Sequence, residues 1–91
     1  MATIGVWVKV GEDSVVPALR DASEKLDSAE GEIVLDFSSV RRIDAGALRA
    51  MEEFADTADR KAVTVVLRGV NVGIYKVLKL VKLASRFSFA A

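Results

Sequence analysis

Asp36 and Asp44 are the residues around which chemistry would have to be built. Each stands where a strand-like run gives way to a turn or a helix-like run, at strand ends beside a plausible cleft. Two carboxylates so placed can share acid–base work or hold a metal ion. The plainer reading makes Asp44 a helix cap, accepting from free backbone N–H groups, and Asp36 an acceptor that organises the turn after it. Ser38 and Ser39 are hydroxyls without a base, because the chain contains no histidine. It contains no cysteine either, which excludes disulfides, thiolate nucleophiles and Cys/His zinc sites along with imidazole catalysis. The six glycines form neither GxGxxG nor GxxxxGK[ST], so no loop of the usual kind cradles a phosphate. No enzyme, no metal and no cofactor is expected.

The other charged feature is a row of lysines, Lys76, Lys79 and Lys82, with Arg86 nearby. Such a row can meet phosphates or an acidic protein. Thirteen basic residues balance thirteen acidic ones over the whole chain, which favours a solvated helix face over a nucleic-acid partner.

The elements that position these residues are legible from periodicity. Residues 4–10, IGVWVKV, alternate as a half-buried strand, with Trp7 and Lys9 on the side away from the main core. GEDS ends it, and Asp13 or Ser14 can cap a helix whose stripe is Val15, Leu19, Ala22 and Leu26. Pro17 suits its first turn and Gly31 its end. Residues 32–37, EIVLDF, show no alternation and predict a strand covered on both faces. A second helix runs from Ala45 to Asp59 with Leu48, Met51, Ala55 and Ala58 inward and Phe54 at the flank. AVTVVL, residues 62–67, predicts another two-sided strand. Asn71 can cap a third helix with Ile74, Val77, Leu78 and Val81 inside. The tail carries Phe87 and Phe89, which can fold back onto the sheet. The order β-α-β-α-β-α predicts an α/β fold with right-handed parallel crossovers, in one domain spanning residues 1–91. No secretory leader and no apolar run of membrane-spanning length is evident, so a cytoplasmic protein is expected.

Residues 32–48, EIVLDFSSVRRIDAGAL, resemble the STAS family, the domain of sulfate-transporter tails and anti-sigma-factor antagonists. VGEDSVVPAL (10–19) resembles that family's Gly-Glu-Leu-Asp lead-in to its first helix, with one residue missing. Residues 63–83 resemble its third strand, its Asn- or Ser-capped turn and its last long helix. The resemblance implies a small sheet with helices mainly on one side. The family usually begins with two strands, so a single one here would leave a sheet edge open, which two copies could share as a homodimer.

The resemblance also implies a function, the binding of protein partners such as an anti-sigma factor with kinase activity. The family motif reads Asp-Ser-Ser-Gly-Leu, with the phosphoacceptor serine just before the glycine. Ungapped, Asp44 and Leu48 match, Ala45 and Gly46 take the serine places, and Ala47 takes the glycine place. Gly46 therefore leaves no hydroxyl to phosphorylate. The implied partner-binding residues are Asp44, Ala45, Gly46, Ala47 and Arg49, supported by Asp36, Ser38 and Ser39. Ser38 and Ser39 are the alternative phosphosites. Hydroxyl-poor versions resemble the small STAS subunit of a bacterial phospholipid-transport ABC complex, whose partner is an ATPase, and STAS proteins of chemotaxis and phosphorelay systems. A nucleotide or other small-molecule binder is a further alternative, since some members of the family bind nucleotides.

Overall fold

A computed structural model of the protein describes residues 6–29 and 31–90. Strand β1 (Val6–Lys9) is followed by helix α1 (Val15–Lys25), strand β2 (Glu32–Asp36), helix α2 (Ala45–Arg60), strand β3 (Thr64–Arg68), helix α3 (Val72–Leu80) and strand β4 (Ser88–Ala90). The expected β-α-β-α-β-α order holds, and the tail adds a fourth strand. Ile4 and Gly5, expected at the start of the first strand, lie outside the described residues. The sheet runs β1-β2-β3-β4, all parallel. Each crossover moves one strand further in the same direction, so right-handed connections place all three helices on one face.

The strand register separates the two faces. Val6, Ile33 and Val65 form one row, and Val8, Leu35, Leu67 and Phe89 another. Most of these side chains join the core with Leu19, Met51, Phe54, Ile74 and Leu78 from the helices. Trp7, Val34, Val66 and Ser88 line up on the opposite face. That face carries no helix, which corrects the two-sided reading of residues 62–67. Val65 and Leu67 are buried while Val66 is only half-buried. Val34 is buried, yet it lies outside the core cluster. Trp7 is its register partner on that face, with the Arg68 guanidinium 5.3 Å from the centre of the indole ring. The run Val65-Val66-Leu67 is apolar throughout, so composition alone could not tell one covered face from two.

The helix ends show where backbone geometry outweighs residue preference. Ser14 occupies the N-cap of α1 without a side-chain bond, and Leu26 falls in a short 3-10 turn, Leu26–Ser28, rather than in the helix. Helix α2 ends with Val63 N–H donating to Ala58 C=O at 2.9 Å and Ala62 N–H to Asp59 C=O at 3.1 Å. Helix α3 repeats the pattern, with Leu83 donating to Leu78 at 2.8 Å and Lys82 to Lys79 at 3.1 Å. These are paired 6→1 and 5→2 bonds, in which the residue past the cap turns left-handed. The buried pairs Ala58/Val63 and Leu78/Leu83 supply the apolar contact. Glycine normally fills the left-handed place, but here Ala62 (φ 57°) and Lys82 (φ 63°) occupy it. Among the described residues, no helix is long and apolar enough to cross a membrane.

Ala62 thus carries a Cβ in a conformation that costs an L-residue about 1 kcal/mol. Ala62→Gly should raise unfolding stability by about that amount, offset in part by glycine's greater unfolded-state entropy. Urea denaturation checks this, and a destabilised Ala62→Gly would contradict the end geometry described for α2.

Candidate functional site

The C-terminal ends of β1, β2 and β3 gather the loops that carry the singled-out residues. Asp44 has extended backbone (φ −100°, ψ −177°) and caps α2. Its Oδ1 accepts from Ala47 N–H at 2.8 Å, and its carbonyl accepts from Leu48 N–H at 3.0 Å. An aspartate is apt here, since it satisfies one orphan donor and places negative charge at the positive helix end. Ala45 and Gly46 are exposed, whereas Ala47 is only 4% exposed and packs in the core. A Cβ built on Gly46 would meet only Asp44 Oδ1, at 3.5 Å, which is ordinary contact. Arg49 stands one turn further on, exposed.

The loop between β2 and α2 is pinned from β3 and α3. Phe37 N–H donates to Arg68 C=O at 2.7 Å. Asn71 caps α3 by accepting from Ile74 N–H at 2.8 Å. Its Nδ2 donates to Arg41 C=O at 2.9 Å and to Val40 C=O at 3.3 Å. Gly69 has φ +73°, and a Cβ there would fall 2.8 Å from Ser38 Cβ and 2.9 Å from Ser38 Cα. Only glycine permits that close approach without moving the loop.

Asp36 is the turn acceptor that the sequence suggests. Its Oδ1 accepts from Ser38 N–H at 2.9 Å. Ser38, through its hydroxyl and then its backbone N–H, holds the Asp36 carboxyl below the usual carboxylate range, with Lys9 and Arg68 adding to the effect. Ser38 and Ser39 are exposed. Asp36 and Asp44 serve separate turns. Each binds a backbone N–H, and Asp44 lines a cleft that Asp36 does not. Among the described residues, no group of three or more acidic side chains could hold a metal ion.

The cleft, of ≈ 460 Å³, lies between the starts of α1 and α2. Glu12 and Asp13 stand on one wall, Arg42 and Ile43 on the other, with Val15 and Ala47 deeper in. Arg41 Nε, from the neighbouring residue, lies 3.8 Å from Glu12 Oε1. Both side chains are exposed, so this pair contributes little to stability. No single stretch of sequence joins Glu12, Asp13, Arg41 and Arg42. The available signal was topological, since GED and RR both follow strands whose ends meet in a parallel sheet.

Residues 12–86 match a family model described as "Mlab, STAS domain". No curated protein matches the chain.

Two substitutions test the local chemistry. Asp44→Ala should cost about 1 kcal/mol of stability, while Asp44→Asn should stay close to wild type, as for other caps. Equal losses for both would remove the capping role. Asp36 has a folded-state pKa below its unfolded value. Its contribution is therefore present above the unfolded pKa, about 3.9, and is lost as pH falls through the lower folded value. Chemical denaturation across pH should show Asp36→Asn less stable than wild type at neutral pH, with the gap closing in acid. A gap that is constant with pH would contradict the Ser38–Asp36 assignment.

Proposed function

The chain belongs to the STAS family, whose domains generally mediate protein interactions rather than catalysis, and on that premise we propose a protein-interaction module that lacks the family's usual serine switch. One observation carries the reading, namely the exposed start of α2 with Asp44 capping it and no hydroxyl at Ala45 or Gly46. Small side chains let a partner's backbone come close, and they lose little rotamer entropy on binding. Asp44, Ala45, Gly46 and Arg49 form the contact, Ala47 its floor, and Asp36, Ser38 and Ser39 the supporting loop. The partner is an anti-sigma factor of kinase type, which makes the protein a cytoplasmic signalling component that regulates transcription. Phosphate added at this helix start would bring about −1.5 to −2 charge to a packed surface, and Gly46 removes that option.

A second reading is favoured by the same hydroxyl-free residues, Ala45, Gly46 and Ala47. They resemble the small STAS subunit of an ABC lipid-transport complex or of a chemotaxis or phosphorelay assembly. The docking face is unchanged in that reading, and the partner becomes an ATPase or another kinase. A nucleotide or small-molecule site is less well supported, because the cleft walls bring acidic residues toward any phosphate.

Gly46→Asp separates binding from folding. The new Cβ has room, an aspartate in the first turn suits the helix dipole, and a helical glycine is removed. Thermal stability should be unchanged or raised by about 0.5–1 kcal/mol. Recovery of the natural partner on the tagged protein should fall about tenfold or more. Undiminished recovery would sink the claim for this surface. Mass spectrometry after incubation with the cognate kinase should find no phosphate on Ser38 or Ser39, and modification there would move the switch rather than abolish it.

A further inference from the structure

Among the described residues six large apolar side chains are exposed, and five of them, Val72, Tyr75, Leu80, Val81 and Phe89, lie on α3, its C-cap and β4, with Trp7 the sixth. The same stretch is basic. All thirteen acidic residues fall at or before Asp59, while seven of the thirteen basic ones follow it. Some of those seven are neutralised by ion pairs. Arg86 lies 2.8 Å from Asp56 and 2.7 Å from Asp59, and Lys61 pairs with Asp27. Lys76, Lys79 and Lys82 take part in no salt bridge among the described residues.

Helical geometry puts these groups together. At 3.6 residues per turn, Val72, Lys76, Lys79 and Leu80 share an arc of about 100° on the side of α3 away from its buried Ile74 and Leu78. Leu80 is 82% exposed and Val72 69%. Tyr75 flanks the arc, with Lys79 Nζ 5.8 Å from its ring and Phe89 of β4 set edge-on at 5.0 Å. Lys82 is held in the left-handed conformation at the end of α3, where glycine would be easier.

We propose that the outer face of α3, with the neighbouring edge of β4, docks on an anionic lipid surface. The lysines would meet lipid phosphates, while Leu80 and Val72 enter the headgroup–acyl boundary and the Tyr75–Phe89 pair sits at its level. The shape favours a bilayer over an acidic protein. The apolar side chains stand out from a convex helix, between lysines spaced three apart, and a deformable surface accepts them without a matching groove. The face is carried by α3 and β4, whereas the proposed protein site is carried by the first turn of α2.

Co-sedimentation with vesicles tests this, using equimolar phosphatidylcholine and phosphatidylglycerol against phosphatidylcholine alone. The protein should bind the anionic vesicles at low ionic strength, release as salt rises, and ignore the neutral ones. Neutralising two lysines in Lys76→Gln/Lys79→Gln should weaken binding about thirtyfold. Leu80→Ser should weaken it while preserving the salt dependence. Lys82→Gly should weaken it about fivefold yet raise the thermal midpoint, a combination that misfolding cannot produce. Failure to bind anionic vesicles, or equal binding by all variants, would overturn the proposal. Binding to a synthetic peptide of alternating glutamate and leucine but not to vesicles would overturn it in favour of an acidic protein partner.

Discussion

The placement of the site depends on Asn71, whose whole side chain is committed to two tasks at once. Its Oδ1 caps α3 through Ile74 N–H, and its Nδ2 holds the carbonyls of Arg41 and Val40. One amide thereby fixes the distance between the end of β3 and the loop that leads into α2. Gly69 lets the two loops touch, because a side chain there would strike the Ser38 backbone. Asp44 then starts α2 at a defined position, and the exposed N-terminal turn inherits that position. Each link is a single hydrogen bond or a single close approach, of modest energy alone. Together they hold a surface of bare backbone steady, and rigidity is what makes such a surface useful for binding.

The second constraint is the uniform direction of the strand order. With four parallel strands taken in sequence, all helices fall on one face. The opposite face must manage without a helical layer. There Trp7 sits beside Val34 in the strand register, under the Arg68 guanidinium. The molecule consequently offers three different surfaces, namely the helix start at Asp44, the open sheet face around Trp7, and the basic outer side of α3. The first is the proposed protein-docking site. The charge distribution after Asp59 gives the third its own chemistry.

Much of this was legible in the sequence, where residue type and required geometry coincide. Asp44, Asp36 and Asn71 were readable as acceptors at a helix or turn start because their side chains satisfy local backbone donors. The inward stripes of α1 and α2 followed from spacing, and Phe54 proved to be fully inside rather than at the flank. The inward stripe of α3 stops one residue short of what its spacing suggests, since Val81 is 46% exposed. What the sequence hid was set by distant contacts or by missing signals. Phe87 and Phe89 hinted at a returning tail, but three residues are too few to announce β4. The left-handed turns at Ala62 and Lys82 lack the glycine that would have marked them. The cleft between α1 and α2 joins acidic and basic pairs about 30 positions apart in the chain.

The central claim is that the start of α2 is a docking surface without a phosphorylation switch. Backbone amide chemical shifts, followed while the purified natural partner is titrated in, test it most directly. The amides of Ala45, Gly46 and Arg49 should move or broaden first, with Ser38 and Ser39 in the supporting loop following. If those signals stayed in place at saturation while the amides of α3 or the open sheet face shifted, the partner would bind elsewhere and the claim would be wrong.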